Sequence, residues 1–445
     1  MLSAFANSFK IPELRKRILF TLGMLFICRI VTSVPTPGVD AGALQRAIQD
    51  AQNQAGGNFM GWIDLFSGGA LSNCAVGALS IWPYISASII LQLMTAIIPA
   101  LERLAREGES GRQKLTQYTR YLALVICVVQ GMFLALSLEN PGALGIPARL
   151  VQNPGWGFRL LTVLAMTTGT MLLMWLGEQI TDRGIGNGIS IVITVNIVSR
   201  LPGAVYQGVT VLPKMEDFTV FHVIGLLVMI FLVTAGTIAL TQGQRKVPIH
   251  TAKRVVGRKV YGGQNTYMPL RVNYSGVMPI IFASALLAFP TMLLGKIPWP
   301  WCQTLAARLR MGEPLHMVAY GALILFFSYF WVATQFNPLQ IADDLKRNSG
   351  YVPGIRPGRP TAEFLDKTMT RITLIGAVFL TIIAVIPSVM ATQFRIPWLV
   401  ASFMGGTSLL IIVGVLLDTM RQVESHLLMR HYDGFLKKGR LRGRR

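Results

Sequence analysis

Apolar residues in this chain gather into long runs rather than the short alternations of a soluble fold. Ten runs read as membrane-crossing helices, at about 18–35, 76–99, 118–138, 158–177, 187–205, 218–240, 275–294, 314–336, 371–391 and 398–417. The predicted fold is therefore an all-α polytopic membrane protein. The fifth run is the weakest, because Asn196 and Arg200 interrupt it. Between the first two runs lies a segment from Pro35 to Ala75. It holds a polar helix-like piece, Asp40 to Gln54, and then a glycine-rich stretch, Gly61 to Ser72, too short to span a bilayer. A small mobile segment joined to an apolar helix that starts at Trp82-Pro83 makes sense if the segment stops a hole and the helix lines it.

Charge fixes the orientation. Lys and Arg number 41 and Asp and Glu 20, for a net charge of +21. With the N-terminus inside and the runs alternating, most basic residues fall inside: Lys10 to Arg17, Arg103 to Arg120, Arg183, the loops 241–273 and 337–370, and the tail from Arg421. Omitting the fifth run would put the basic tail outside, so ten spans with both termini cytoplasmic is the consistent reading. The ten divide into an N-terminal half, 1–205, a C-terminal half, 206–420, and a basic cytoplasmic tail, 421–445. Five spans per half make the halves inverted repeats by topology, although they share no convincing sequence identity. Arg15-Lys-Arg17 ahead of an apolar run imitates a secretory signal, but Arg29 interrupts the run and no small-x-small cleavage site follows, so the run is read as an uncleaved span. The 241–273 loop contains no acidic residue, and alternation from Val255 to Tyr261 predicts a small hairpin there.

No residue set reads as catalytic, as a metal site or as a cofactor site. The phosphate-binding Gly-x4-Gly-Lys-Ser/Thr loop, His-Glu-x-x-His and Gly-x-Ser-x-Gly are missing from the sequence. Cys28, Cys74, Cys127 and Cys302 are not at ligand spacing. Arg183-Gly-Ile-Gly-Asn-Gly-Ile189 resembles a phosphate loop, but a tight inner turn opening a helix explains it better. The spans hold few ions, Arg29 being the clearest, and its length lets it snorkel to the outer interface. They offer no midplane carboxylate of the kind an ion-coupled solute transporter uses.

What the spans do hold is isoleucine beside broken helix. Ile81 and Ile85 flank Pro83, Ile189 and Ile193 follow Gly186-Asn-Gly188, Ile281 follows Pro279, and Ile411 follows Gly405-Gly406. Irregular backbone at membrane depth is tolerated where it is buried in protein or lines a cavity. Plain packing would also account for any one of these residues. Ser88, Gln92 and Thr95 make a polar stripe on the second span, as either helix–helix glue or a functional edge.

These stretches resemble the SecY family, the central subunits of the bacterial Sec protein-conducting channel. The resemblance runs over nearly the whole chain, through Val34-Pro-Thr-Pro-Gly-Val39, Leu65-Phe-Ser-Gly-Gly-Ala-Leu-Ser72, Pro83-Tyr-Ile-Ser-Ala-Ser-Ile89, Gly108-Glu-Ser-Gly-Arg112, Gln117-Tyr-Thr-Arg-Tyr121, Trp175-Leu-Gly-Glu-Gln-Ile-Thr181, Arg183-Gly-Ile-Gly-Asn-Gly-Ile-Ser190, Pro353-Gly-Ile-Arg-Pro-Gly358 and Gly405-Gly-Thr-Ser-Leu-Leu410. It implies two inverted five-helix halves around a central pore. The pore ring would be Ile81, Ile85, Ile189, Ile193, Ile281 and Ile411. The plug would be about 61–72, including Gly61, Leu65, Phe66, Ser67, Gly68 and Gly69. Ser88, Gln92 and Thr95 would sit at a lateral gate between spans two and three and spans seven and eight. Arg356, then Arg258, Lys259 and Arg254, would dock the SecA motor or a translating ribosome. Lys259 stands where the family often has arginine, and lysine lacks the planar fork that grips phosphate or carboxylate. Trp82 and the loop 295–313 also diverge locally. The resemblance further implies SecE and SecG as partners, signal-bearing proteins as substrates, the bacterial inner membrane as location, and no enzymatic activity or cofactor. The competing reading is a broken-helix solute transporter.

Overall fold

The computed structural model describes residues 11–46, 64–140, 150–210, 220–251, 254–256, 259–261, 265–294, 299–309, 312–348, 350–394 and 396–438. The chain forms two compact units. One holds Met1–Gln54, Asn58–Val211 and Gly414–Arg445; the other holds Ala55–Gly57 and Leu212–Val413.

The first unit is helical. Its elements are Pro12–Ser33 (α1), Trp82–Ile97 (α2), Pro99–Arg106 (α3), Glu109–Glu139 (α4), Trp156–Arg183 (α5), Gly188–Ser199 (α6) and Leu201–Thr210 (α7). Proline opens α1, α2 and α3, where its missing N–H has no intrahelical partner to lose. Pro99 also breaks the second run: Trp82–Thr95 and Pro99–Ala105 meet at 106°. The helix expected across the fifth run is two helices, with Arg200 in the turn between them. Asn187 caps α6 by accepting the Ser190 N–H at 3.2 Å. Gly188 starts α6 against α5. A Cβ there would lie 1.9 Å from the Gly177 carbonyl oxygen, so only glycine lets the helices meet.

The second unit runs Val220–Gln242 (α8), Gln244–Thr251 (β1), Arg254–Val256 (β2), Lys259–Tyr261 (β3), Asn265–Arg271 (β4), Met278–Leu294 (α9), Pro300–Arg308 (α10), Pro314–Gln335 (α11), Pro338–Arg347 (α12), Gly350–Tyr351 (β5), Arg359–Gln393 (α13) and Trp398–Met404 (α14), and Gly406–Lys438 (α15) begins in it. The expected hairpin is present as β2 paired with β3, Arg254 opposite Tyr261. An all-helical reading misses the rest of these loops: β4, β1 and β5 make a three-stranded antiparallel sheet. The sheet rests on a core of Val247, Leu270, Val332, Phe336, Val352, Leu365, Met369 and Ile372, so the inner loops stand on folded ground. The 421–438 part of the tail continues α15.

Seven helices among the described residues are long and apolar enough to cross a membrane, or eight if the bent pair at Pro99 is one span. Two further expected runs are helical but fall short by that measure. α1 carries Lys16, Arg17 and Arg29, and α9 has 17 residues. Large apolar side chains such as Leu164 and Phe231 point outward, a surface that needs lipid rather than water. The chain is a multi-pass membrane protein.

Candidate functional site

Residues 64–75 lie in the interior of the first unit, and Gly61 lies outside the described residues. Residues 64–67 make one helical turn, and two glycines at positive φ, Gly68 at 67° and Gly69 at 90°, then reverse the chain. Leu65, Phe66, Ser67, Ala70 and Leu71 are all buried. The turn is tied internally. Ser67 Oγ donates to the Asp64 carbonyl at 3.1 Å and accepts the Leu71 N–H at 3.2 Å, and Ser72 Oγ donates to the Gly69 carbonyl at 2.9 Å. A loosely attached plug is what the composition suggests; the structure holds this segment down.

Beside it is a small pocket lined by Phe66, Ser67, Leu79, Ser80, Ile81, Trp82, Ile85 and Ile193, with room for about one water molecule. Three of the expected ring isoleucines meet here. Ile81 is fully buried at the N-terminus of α2, Ile85 lies one turn on, and Ile193 faces them from α6. Ile189 does not line this pocket. Its side chain packs on α5, with Cγ1 3.2 Å from where a Cβ on Gly177 would stand. Ile281 and Ile411 belong to the second unit and are buried within it. Phe66 and Trp82 rings lie 6.2 Å apart, and both residues line the pocket. Ser80, just ahead of α2, has φ 52°, an uncommon conformation for serine. Its hydroxyl accepts Asn196 Nδ2 at 3.2 Å, which helps hold it there.

The polar residues of this region were read from sequence as interruptions, and the structure corrects that. Arg29 does not reach for the outer interface. Its Nη1 lies 3.5 Å from both the Gly68 carbonyl and Asn196 Oδ1. Arg200 pairs with Asp64, and its Nη2 also donates to Ser72 Oγ at 3.1 Å. Asp64 Oδ1 accepts the Ser72 N–H at 2.8 Å. The available signal was simple: an ionisable group inside an apolar run is a functional hypothesis in itself.

On α2, Ser88 and Thr95 are half-buried and Gln92 is exposed, with Thr95 Oγ1 donating to the Gln92 carbonyl at 2.6 Å. In the second unit Arg356 is exposed on the loop between β5 and α13. Its carbonyl accepts Thr361 Oγ1 at 2.8 Å, and Gly354 and Gly358 at positive φ bound the loop. Val352 below is buried in the sheet core, so the loop presents Arg356 from a rigid base. Arg254 and Lys259 lie on β2 and β3; Arg258 is outside the described residues.

The described cysteines are all buried thiols. Burial pushes the Cys74 thiol up to about 12, which removes its thiolate at neutral pH. Maleimide should therefore label Cys74 slowly in the folded protein and readily after unfolding; equal rates would show the segment around Cys74 to be open.

The SecY family model matches residues 75–420. The chain is 44% identical over 436 residues to the protein translocase subunit SecY of Escherichia coli strain K12, covering 97% of this chain and 96% of that one. It is 42% identical over 450 residues to the protein of the same name from Thermotoga maritima, covering 100% of both. Among solved structures it is similar to a protein-conducting channel, with TM-score 0.60 and 16% identity, and to Sec61 in a canine ribosome–channel complex from the endoplasmic reticulum, with TM-score 0.56 and 15% identity. Each covers 92% of this chain and 91% of the other, and at those identities the likeness is one of fold.

Proposed function

This chain belongs to the SecY family, and on that premise we propose that it is the gated protein-conducting channel of a bacterial inner membrane, passing secretory chains across and releasing apolar segments sideways into lipid. The observation that carries the reading is the pocket in which Phe66 of the glycine turn meets Ile81, Ile85 and Ile193. Branched alkyl groups offer no hydrogen bonds, so a narrow apolar path closes to ions by dewetting. For the same reason an extended polypeptide of any sequence slides past without sticking. In this proposal the ring comprises Ile81, Ile85, Ile189, Ile193, Ile281 and Ile411, and the plug is 61–72. Ser88, Gln92 and Thr95 edge the lateral gate.

Nothing in this reading makes the chain an enzyme, so the driving force comes from partners. SecA or a translating ribosome would dock on the inner loops, and SecE and SecG would complete a heterotrimer, with both termini of this chain cytoplasmic. Exposed Arg356 on its rigid loop suits a carboxylate or an rRNA phosphate. Arg356→Glu puts like charges at that contact, so motor-driven transport should fall by about tenfold or more with the thermal unfolding profile unchanged. Normal transport by the variant removes Arg356 from the docking site.

A buried cluster of Asp64, Arg29 and Arg200 is what a solute transporter would use, and this favours that second reading. The Asp64 carboxylate is already satisfied from within, one oxygen by Arg200 and the other by the Ser72 N–H, which leaves it no vacancy for a substrate. Purified protein in liposomes separates the two. ATP- and SecA-dependent uptake of a signal-bearing protein supports the channel; saturable uptake of a small solute without SecA overturns it.

A further inference from the structure

We propose that Asp64 and Arg200 form a charge latch that holds the plug segment shut and is strong only while the neighbouring apolar pocket stays dry; the assignment to a plug rests on the channel reading. Asp64 is the only charged residue between 64 and 75, and its side chain is 1% exposed. One carboxylate oxygen takes the Arg200 ion pair and the other takes the Ser72 N–H. Arg200 also donates to Ser72 Oγ, so a single guanidinium grips both ends of the turn.

The two glycines make this grip possible. A Cβ on Gly68 would lie 2.7 Å from Arg29 Nη1, and one on Gly69 would lie 3.0 Å from Arg200 Cζ. Both arginines therefore come close against bare backbone, and that approach depends on glycine at these positions. Asn196 links the cluster to Ser80, the residue immediately before Ile81. Ser80 and Ile81 line the apolar pocket together with Ser67, whose hydroxyl bonds the Asp64 carbonyl, so the pocket lies next to the latch segment.

Attraction between opposite charges falls with the local dielectric, several-fold between a dry interior and water. The carboxylate end of the pair is buried beside that pocket, with the Arg200 side chain 26% exposed, and the pair is tight while the pocket stays dry. Once water or a polar chain enters that pocket, the same pair is hydrated and weak, and no bond need be broken by force. The device also has a known asymmetry. Removing one partner of a buried pair is costly because the other charge is left alone, whereas removing both is often near neutral.

Hydrogen exchange of the full-length protein in lipid nanodiscs reads this out without any transport step. Asp64→Asn keeps the shape and an acceptor for the Ser72 N–H but removes the charge. Exchange in 64–75 should rise about tenfold or more in Asp64→Asn and in Arg200→Gln, and return to within about threefold of the parent in the double variant. Unchanged exchange in both single variants, or a double variant as fast as the singles combined, overturns the latch. Exchange in α5 reports folding. If α5 also loosens in the single variants, Arg200→Lys replaces them: it keeps the charge and loses the fork, and should give a smaller rise confined to 64–75, no rise overturning the proposal. Failure here leaves the channel reading standing, and failure to secrete would leave this result standing.

Discussion

Ion leak through the resting protein rises by about tenfold to a hundredfold when Ile85 and Ile193 are both changed to asparagine, because an amide in an apolar pocket costs about 2–7 kcal/mol unless water joins it. Both side chains line the same pocket as Phe66 and Trp82, and that pocket has room for about one water molecule. Two amides there recruit water, and a hydrated path conducts where a dry one does not. Single-channel recording in planar bilayers, or chloride efflux from liposomes, measures the change. A leucine pair at the same positions keeps the path dry and should leave the leak near the parent value. A resting conductance untouched by asparagine would remove the apolar constriction, and with it the mechanism drawn from these residues. On the latch proposal, wetting should also speed exchange in 64–75, since the buried end of the Asp64–Arg200 pair would lose its low dielectric.

The second large effect lies at the N-terminal end of α6. Gly188→Val should destabilise the protein by about 3 kcal/mol or more, because the added carbon has no place to go. A Cβ would meet the Gly177 carbonyl oxygen at 1.9 Å and Ile180 Cβ at 2.8 Å. Backbone cannot swing aside as a long side chain can, so α6 must separate from α5. Ile193, one turn further on, would shift out of the pocket with it. Thermal unfolding in detergent should show a midpoint several degrees lower, with a raised leak in liposomes. Gly23→Ala is the matched control. Its Cβ would meet nothing within 4 Å, and helix propensity alone predicts a gain of about 0.5–1 kcal/mol. If Gly188→Val is as stable as Gly23→Ala, the close approach of α5 and α6 is wrong.

Trp82 shows how a residue that looks out of place in the sequence acquires a reason once its neighbours are known. From sequence it is a bulky residue next to a helix-starting proline. In the fold its ring faces Phe66 and completes one wall of the pocket.

Much of this protein is written in short-range chemistry. Runs of apolar residues, prolines at helix starts and the surplus of inward lysine and arginine can each be judged within about twenty residues, the length of a bilayer crossing. They were enough for a multi-pass helical fold, for the hairpin at 254–261, and for picking Ile81, Ile85 and Ile193 beside bent backbone. The sheet of β4, β1 and β5 was hidden because its strands come from two separate loops and β5 has two residues. The partners of the buried charges were hidden for a stronger reason. Arg200 and Ser72 are 128 positions apart, and Asn196 and Ser80 are 116. No periodicity connects such pairs, and an isolated arginine in a span looks the same whether it faces lipid, water or a carboxylate. Only folding, by burying Asp64 beside Arg200 and the Ser72 N–H, gave an arginine that interrupts an apolar run its partner.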